Sequence, residues 1–422
     1  MQPLYRKISR RLVPFLILLY LVAFLDRVNI GFAALTMNRD LQIDASLFGL
    51  AAGMFFLGYF LFEVPSNLIL LRVGARRWIT VLMVAWGCVS VATALAPNPT
   101  TYIALRFLLG LAEAGFYPGV ILYLTFWLPP AVRSSIMAMF VAAIPLSSLV
   151  GSPISAQILL LDNLLGLRGW QWLFVLEGAP AILLGFLVLL LLPNGPSDVR
   201  WLSPLEKQTL QRDLRDASPA QSAKKHSFLD MFTAEPAVYG WSLAYFLLML
   251  GLYGLGFWIP TVLASHGLGI RALGWATALP YLVAIAAMLL WSHRSDRRGE
   301  RRFHLAAAYV AAGAGFLVAA FATHASMAVA GFTLAAVGVL SAMPVFWSAS
   351  TVELAGPLVA AHIAVINSIG NLGGFFGPVI MGWLRHVTHH YIAGLAVIAC
   401  CLAAGAFVTA RLCRPAAAAA TS

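Results

Sequence analysis

Twelve apolar stretches of about 20 residues or more, separated mostly by short polar loops, run through this 422-residue chain and restrict its fold more than any motif does. A helix of that length crosses roughly 30 Å of hydrocarbon. Lipid offers the backbone no hydrogen-bond partner, so consecutive spans of this kind must be helical. The spans fall at 12–36, 47–71, 77–96, 99–128, 131–158, 170–192, 236–264, 272–293, 302–323, 326–350, 358–384 and 391–413. With 61% hydrophobic and 10% charged residues, the composition excludes a soluble domain and predicts an all-α polytopic membrane protein. The first span follows a short basic head without a small-residue cleavage site, so it is expected to be an anchor and not a cleaved signal peptide.

The basic residues orient these spans. Both termini placed in the cytoplasm bring Arg6, Lys7, Arg10, Arg11, Arg72, Arg76, Arg77, Arg133, the basic residues of the central loop, Arg294–Arg302, Arg411 and Arg414 to the inner side. Only Arg39, Arg168, Arg271 and Arg385 remain outside, the asymmetry expected of a multi-pass protein of the bacterial inner membrane. The net charge of +11 is then a topology signal and does not point to nucleic acid.

The longest polar stretch, beginning at Pro193-Asn194-Gly195-Pro196, divides the chain into a six-span unit (1–192), a cytoplasmic linker (193–235) and a second six-span unit (236–422). A short charged helix is expected within Ser203–Asp216, and Ser218-Pro219 and Lys224-Lys225 close the linker. The halves repeat one another. Arg72, Gly74, Arg76 and Arg77 recur at constant offset as Arg297, Gly299, Arg301 and Arg302, and Pro153 recurs as Pro378. Duplication of this kind places a substrate site near the midplane of many secondary transporters, between two halves that rock about it.

Two carboxylates interrupt the apolar runs, each with an arginine on its own segment. The first span carries Asp26, Arg27 and Asn29, and the fourth carries Arg106 and Glu113. Ionised groups in a membrane interior are costly and usually serve substrates, ions or protons. At about 1.5 Å per residue, Asp26 and Glu113 reach similar depth near the bilayer centre. Arg106 and Glu113, two helical turns apart on one face, are placed to exchange partners with the first span.

The motifs around these residues carry a family resemblance. The order of spans, the central loop and Asp296-Arg297-Arg298-Gly299-Glu300-Arg301-Arg302 resemble the major facilitator superfamily, with its two pseudo-symmetric six-helix bundles. Phe24-Leu25-Asp26-Arg27-Val28-Asn29-Ile30-Gly31, Glu63-Val64-Pro65-Ser66-Asn67, Gly74-Ala75-Arg76-Arg77-Trp78 and the run Arg106–Gly119 resemble its anion:cation symporter family, in the bacterial tartrate-transporter-like branch. Gly169–Gly178 and Arg200-Trp201-Leu202-Ser203-Pro204 extend the match, which is dense in the first half and thin in the second. Two departures stand out. Leu71 occupies the place of the acid that the second loop motif supplies as Asp296, and Phe24 stands where relatives often have tyrosine.

Residues and resemblance together predict a proton-coupled symporter that imports a small organic anion by alternating access. Asp26 and Glu113 carry protons, and Arg27 binds the anion, since a guanidinium matches a carboxylate with two parallel donors and stays charged when buried. Asn29, Tyr59, Tyr123, Gln157, Trp347, Ser348, Asn367 and Asn371 are candidates to line the cavity, each equally suited to a helix–helix hydrogen bond. Arg106, Arg72, Arg76, Asp296, Arg297 and Glu353 are candidate ion-pair or gating groups, although retention of basic loops on the inner side explains any single arginine as well. Glu63 and Glu177 are expected to be gate or packing contacts, and the glycine run Gly370, Gly373, Gly374, Gly377 with Pro378 to permit close helix approach.

Cys88, Cys400, Cys401 and Cys413 lie in or at the ends of spans, and His386, His389 and His390 form a loop cluster, so neither a disulfide framework, a metal site nor a cofactor is indicated. No nucleophile–base constellation suggests an enzyme. Membrane lipid, protons and the anion are the expected partners, with a monomer as the default state. An exchanger or exporter of the same fold, or a non-transporting sensor, is the alternative.

Overall fold

The structure, a computed structural model, describes residues 3–216, 236–354 and 359–413. The linker residues 217–235, with Ser218, Pro219, Lys224 and Lys225, and Arg414 lie outside the described residues.

The described residues form helices and no strand ladder. The first half contains α1 (Pro3–Val28), α2 (Ile30–Asp40), α3 (Ala45–Val73), α4 (Ala75–Thr93), α5 (Pro99–Glu113), α6 (Phe116–Thr125), α7 (Pro130–Leu159) and α8 (Gly169–Leu191). The linker begins with α9 (Pro204–Asp216), and the second half contains α10 (Pro236–Ser265), α11 (Ile270–Arg298), α12 (Arg302–Ala320), α13 (Ala325–Glu353), α14 (Val359–Asn371), α15 (Gly373–Thr388) and α16 (Ile392–Leu412). Twelve spans result, because α1 with α2, α5 with α6 and α14 with α15 each make one crossing. They form two six-helix bundles, as the sequence predicts.

Span ends differ from the sequence reading where polar residues propagate a helix beyond the hydrocarbon. The first helix starts at Pro3 instead of residue 12, and α11 runs on through Arg294–Arg298 to stop at Gly299, whose φ of +60° is the left-handed cap that suits glycine. Its counterpart in the first half, Gly74, also has a positive φ, at +91°. The repeated motif places a positive-φ glycine at both turns, although Gly74, with ψ 147°, does not share the left-handed helical conformation of Gly299. Other ends are set by side-chain caps: Asp44 accepts from Leu47 N at 2.8 Å and Asn98 from Thr101 N at 2.9 Å.

The basic head and the start of the linker pack together on one face of the molecule, called here the linker face. Lys7 Nζ donates to both oxygens of Glu206 at 2.9 Å, Tyr5 donates to Asp213, and Arg11 covers the Trp201 ring, which stacks on Trp127 at 5.9 Å. The Lys7 hydrogen bond, with help from Ser203, holds the Glu206 carboxyl below the usual carboxylate range. Its folded-state value is depressed, so the docking of α9 is favoured at neutral pH and weakens as acid protonates the carboxyl.

The two bundles meet on the opposite, far face. There α3 packs on α15, α7 on α11 and α2 on α10. The approach is close enough to require glycine. A Cβ on Gly49 would overlap the Pro378 carbonyl, and one on Gly274 would fall 2.7 Å from Ala156 Cβ. His386 Nδ1 and Asp44 Oδ2 add a polar bridge at 3.4 Å. Among the described residues, the link between the bundles nearer the linker face is Asn367 Nδ2 to Glu63 Oε1 at 3.4 Å. The tight approaches between the bundles that require glycine lie at the far face.

Candidate functional site

The interruptions of the first and fourth spans position the charged residues. Asn29 separates α1 from α2 directly after Asp26-Arg27, and Ala114-Gly115 separates α5 from α6 directly after Glu113. Gly115 has φ +86°, and a Cβ there would come within 2.6 Å of Ser66 Cβ on α3. Ser66 is itself held by Trp78 Nε1 at 2.9 Å. Gly115→Ala is expected to destabilise the protein by about 2–4 kcal/mol, combining left-handed strain with overpacking. A melting temperature in detergent equal to that of the wild type rules this account out.

Arg27 and Asp26, adjacent in sequence, point to different partners because consecutive helical residues project about 100° apart. Arg27 Nη2 pairs with Glu113 Oε1 and Nη1 donates to Tyr253 Oη on α10 at 3.1 Å, so the guanidinium joins the two bundles. Its plane lies near the rings of Phe24, Phe55 and Tyr59, at 5.8, 5.1 and 5.3 Å. Phe24 thus meets the same cation, through its ring and without a hydroxyl. Asp26 turns to α4: its Oδ1 accepts from Ser90 Oγ at 2.5 Å and from Asn29 Nδ2 at 3.3 Å. Arg106, fully buried, stands over the Phe55 ring at 5.2 Å, and none of its guanidinium nitrogens has a hydrogen-bond partner among the described residues.

The remaining expected residues divide by place. Tyr59 is buried beside Arg27 and Glu63. Trp347 packs on Tyr245 at 4.9 Å, Asn367 meets Glu63, and Asn371 is half-buried at the end of α14, so these three belong to the second bundle's inner side. Ser348 accepts from Arg301 Nε at 2.9 Å and is held by the loop motif. Gln157 is exposed near the far end of α7, away from Arg27. Tyr123 donates to the Pro193 carbonyl at 2.9 Å, where the linker begins. Arg72, Asp296 and Arg297 are exposed on the linker face, Arg76 is half-buried, and Glu353 ends α13 there. In the same loop Glu300 caps α12, accepting from Phe303 N at 2.6 Å and meeting His304 Nδ1 at 2.8 Å.

Sequence reasoning named Tyr59 but missed Tyr20 and Tyr253 around Arg27. Tyr20 precedes it by two helical turns on the same face and contacts Tyr117, a periodicity that marked it in advance. Tyr253 carried no such signal, since only the meeting of the bundles brings it to Arg27.

The Major Facilitator Superfamily model matches residues 16–272 and 241–421. The chain belongs to the Major Facilitator Superfamily. It is 48% identical to the "Putative tartrate transporter" of Agrobacterium vitis over 97% of this chain and 95% of that protein. It is 42% identical to the "Putative metabolite transport protein NicT" of Pseudomonas putida over 97% and 94%. The crystal structure of a D-xylose-proton symporter superposes with a TM-score of 0.74, covering 96% of this chain and 98% of that one at 16% identity, which establishes the shared fold. The chain is a multi-pass membrane transporter of this superfamily.

Proposed function

We propose that the protein imports a small organic carboxylate together with protons by alternating access across the bacterial inner membrane, with both termini and the linker in the cytoplasm. One observation carries the reading: Arg27, the cation at the seam of the bundles, is engaged by Glu113 and by Tyr253 of the opposite bundle. A substrate carboxylate needs the same donors. It displaces Glu113 at low cost only when Glu113 takes a proton, because an unpaired buried carboxylate is strongly unfavourable. Binding of anion and binding of proton are thereby linked. Arg106, buried and without a hydrogen-bond partner among the described residues, stands within electrostatic range of Asp26 and Glu113 and stabilises either acid when its proton leaves.

Charge accounting supports symport. Entry of an anion into a negative interior is opposed by about 2.3 kcal/mol per charge per 100 mV, and protons carried on Asp26 and Glu113 offset that cost. In this reading the tightly packed far face is the extracellular gate, and the loop arginines with Asp296 and Glu353 are the cytoplasmic gate. The names of the relatives favour tartrate, with sugar acids and aromatic acids as the neighbouring classes.

The test is uptake by purified protein in liposomes, with radiolabelled tartrate, galactonate, 4-hydroxyphenylacetate and phthalate under an inward proton gradient. One acid is expected to accumulate. Asp26→Asn and Glu113→Gln are expected to lose accumulation and keep exchange. Accumulation that ignores the gradient and survives both substitutions would replace symport by the exchanger reading.

A further inference from the structure

The groups around Arg27 leave a second polar set unexplained on the other side of Asp26. Glu177 on α8 is 4% exposed, and its Oε1 accepts from Ser155 Oγ on α7 at 2.6 Å. Its Oε2 accepts no hydrogen bond from the described residues, and the same holds for Asp26 Oδ2. The Asn29 amide stands between the two acids, donating to Asp26 and facing Glu177, while its own Oδ1 is buried without a donor.

Asn29 and Ser155, which touch the two acids, line one cavity at the seam, together with Ser148 and Ser152 of α7 and Thr277 and Tyr281 of α11. Thr277 Oγ1 is also buried without a partner among the described residues. Folded interiors leave few polar atoms in that condition, and although Leu25, Val28 and Phe32 form part of the wall, the space has room for about one water, which donates to two of these oxygens. The cavity does not include Arg27 or Glu113. It adjoins the α7–α11 seam.

We propose that Glu177 is a further proton-binding carboxyl, coupled to Asp26 through Asn29, with the neighbouring cavity holding a water that serves these polar groups. The inference rests on the proton-coupled reading above and adds a proton-binding group that does not touch Arg27. Asp26 is the charged group facing Glu177, and Asp26 in turn faces Arg106 and Glu113. Ser90 of α4, Ser155 of α7 and Asn29 between α1 and α2 are the neutral groups about the two acids, and among the described residues no arginine or lysine faces Glu177. Two neighbouring carboxylates in such surroundings resist simultaneous ionisation, so protonation of one is felt by the other.

The experiment is a pH titration of the infrared C=O stretch of protonated carboxyls in the purified full chain. It compares wild type, Glu177→Gln, Glu177→Asp, Asp26→Asn, Ser155→Ala and Glu113→Gln. Glu177→Gln is expected to delete one titrating band and shift that of Asp26, Glu177→Asp to restore a band, and Ser155→Ala to move the Glu177 band without removing it. In liposomes, Glu177→Gln is expected to lower the number of protons moved per substrate. A Glu177→Gln spectrum identical to wild type overturns the proposal, as does displacement of these bands by sodium at constant pH, which would make the cavity a metal-cation site. The spectra do not depend on transport. Wild-type uptake that ignores the proton gradient removes the symport reading, whereas an unchanged Glu177→Gln spectrum with intact proton-driven uptake removes this inference alone.

Discussion

Arg27→Ala is expected to reduce both uptake and exchange of the organic anion by about 100-fold or more, with Arg27→Lys falling between it and the wild type. The guanidinium makes two directed bonds, to Glu113 and to Tyr253 of the other bundle, and lies among three aromatic rings. Lysine restores a charge but not the planar fork that matches a carboxylate. Alanine also leaves Glu113 buried without its cation, a loss of about 3–5 kcal/mol when one member of a buried pair is removed. Part of that loss belongs to folding and part to binding, and a double-mutant cycle separates them. Arg27→Ala with Glu113→Gln is expected to recover much of the thermal stability of the single variant while transport stays absent. Recovery of transport in the double variant would mean that Arg27 serves only to neutralise Glu113 and does not bind substrate.

Gly49→Leu is expected to stop turnover by a different route, holding the far face open. Gly49 meets the Pro378 carbonyl and the Cα of Gly382 across the seam, with no room for a Cβ. Overpacking of this severity costs about 3 kcal/mol, near the top of the usual range, and it falls only on the state in which α3 and α15 touch. That corresponds to a shift of about 100-fold in favour of the separated state. The distance between spin labels on Gln42→Cys and His389→Cys, in a background with the four native cysteines replaced by serine, reports the change. Both sites are exposed at the far-face ends of these spans. A distance distribution unchanged from that of the parent, with transport intact, sinks the assignment of this seam as a gate.

Much of the fold was legible because hydropathy and loop charge are local properties. Each span must satisfy its own backbone in lipid, so an apolar run such as 170–192 announces a helix without reference to its neighbours. The candidate site was legible in part for the same reason: Asp26, Arg27, Arg106 and Glu113 stand out against apolar surroundings wherever the helices go. Residues whose roles depend on a neighbour were not. Ser90 and Ser155 resemble any small polar residue that favours helix packing, and only the contacts of α1 with α4 and of α7 with α8 turn them towards Asp26 and Glu177. Gln157 and Ser348 had the composition of cavity residues, but helix rotation exposed the first and gave the second to Arg301.

By itself, the sequence determined the twelve spans, the division into halves, the repeated loop motif and the placement of charge at membrane depth. The tertiary structure decided which acid Arg27 holds, that Tyr253 of the other bundle shares it, that Ser90 and Asn29 meet Asp26 while Ser155 meets Glu177, and where the two bundles approach most closely. The physical reason is one of range. Burial in lipid acts on each segment alone, whereas the direction of a side chain around a helix and the partner it meets are fixed by packing between helices far apart in the chain.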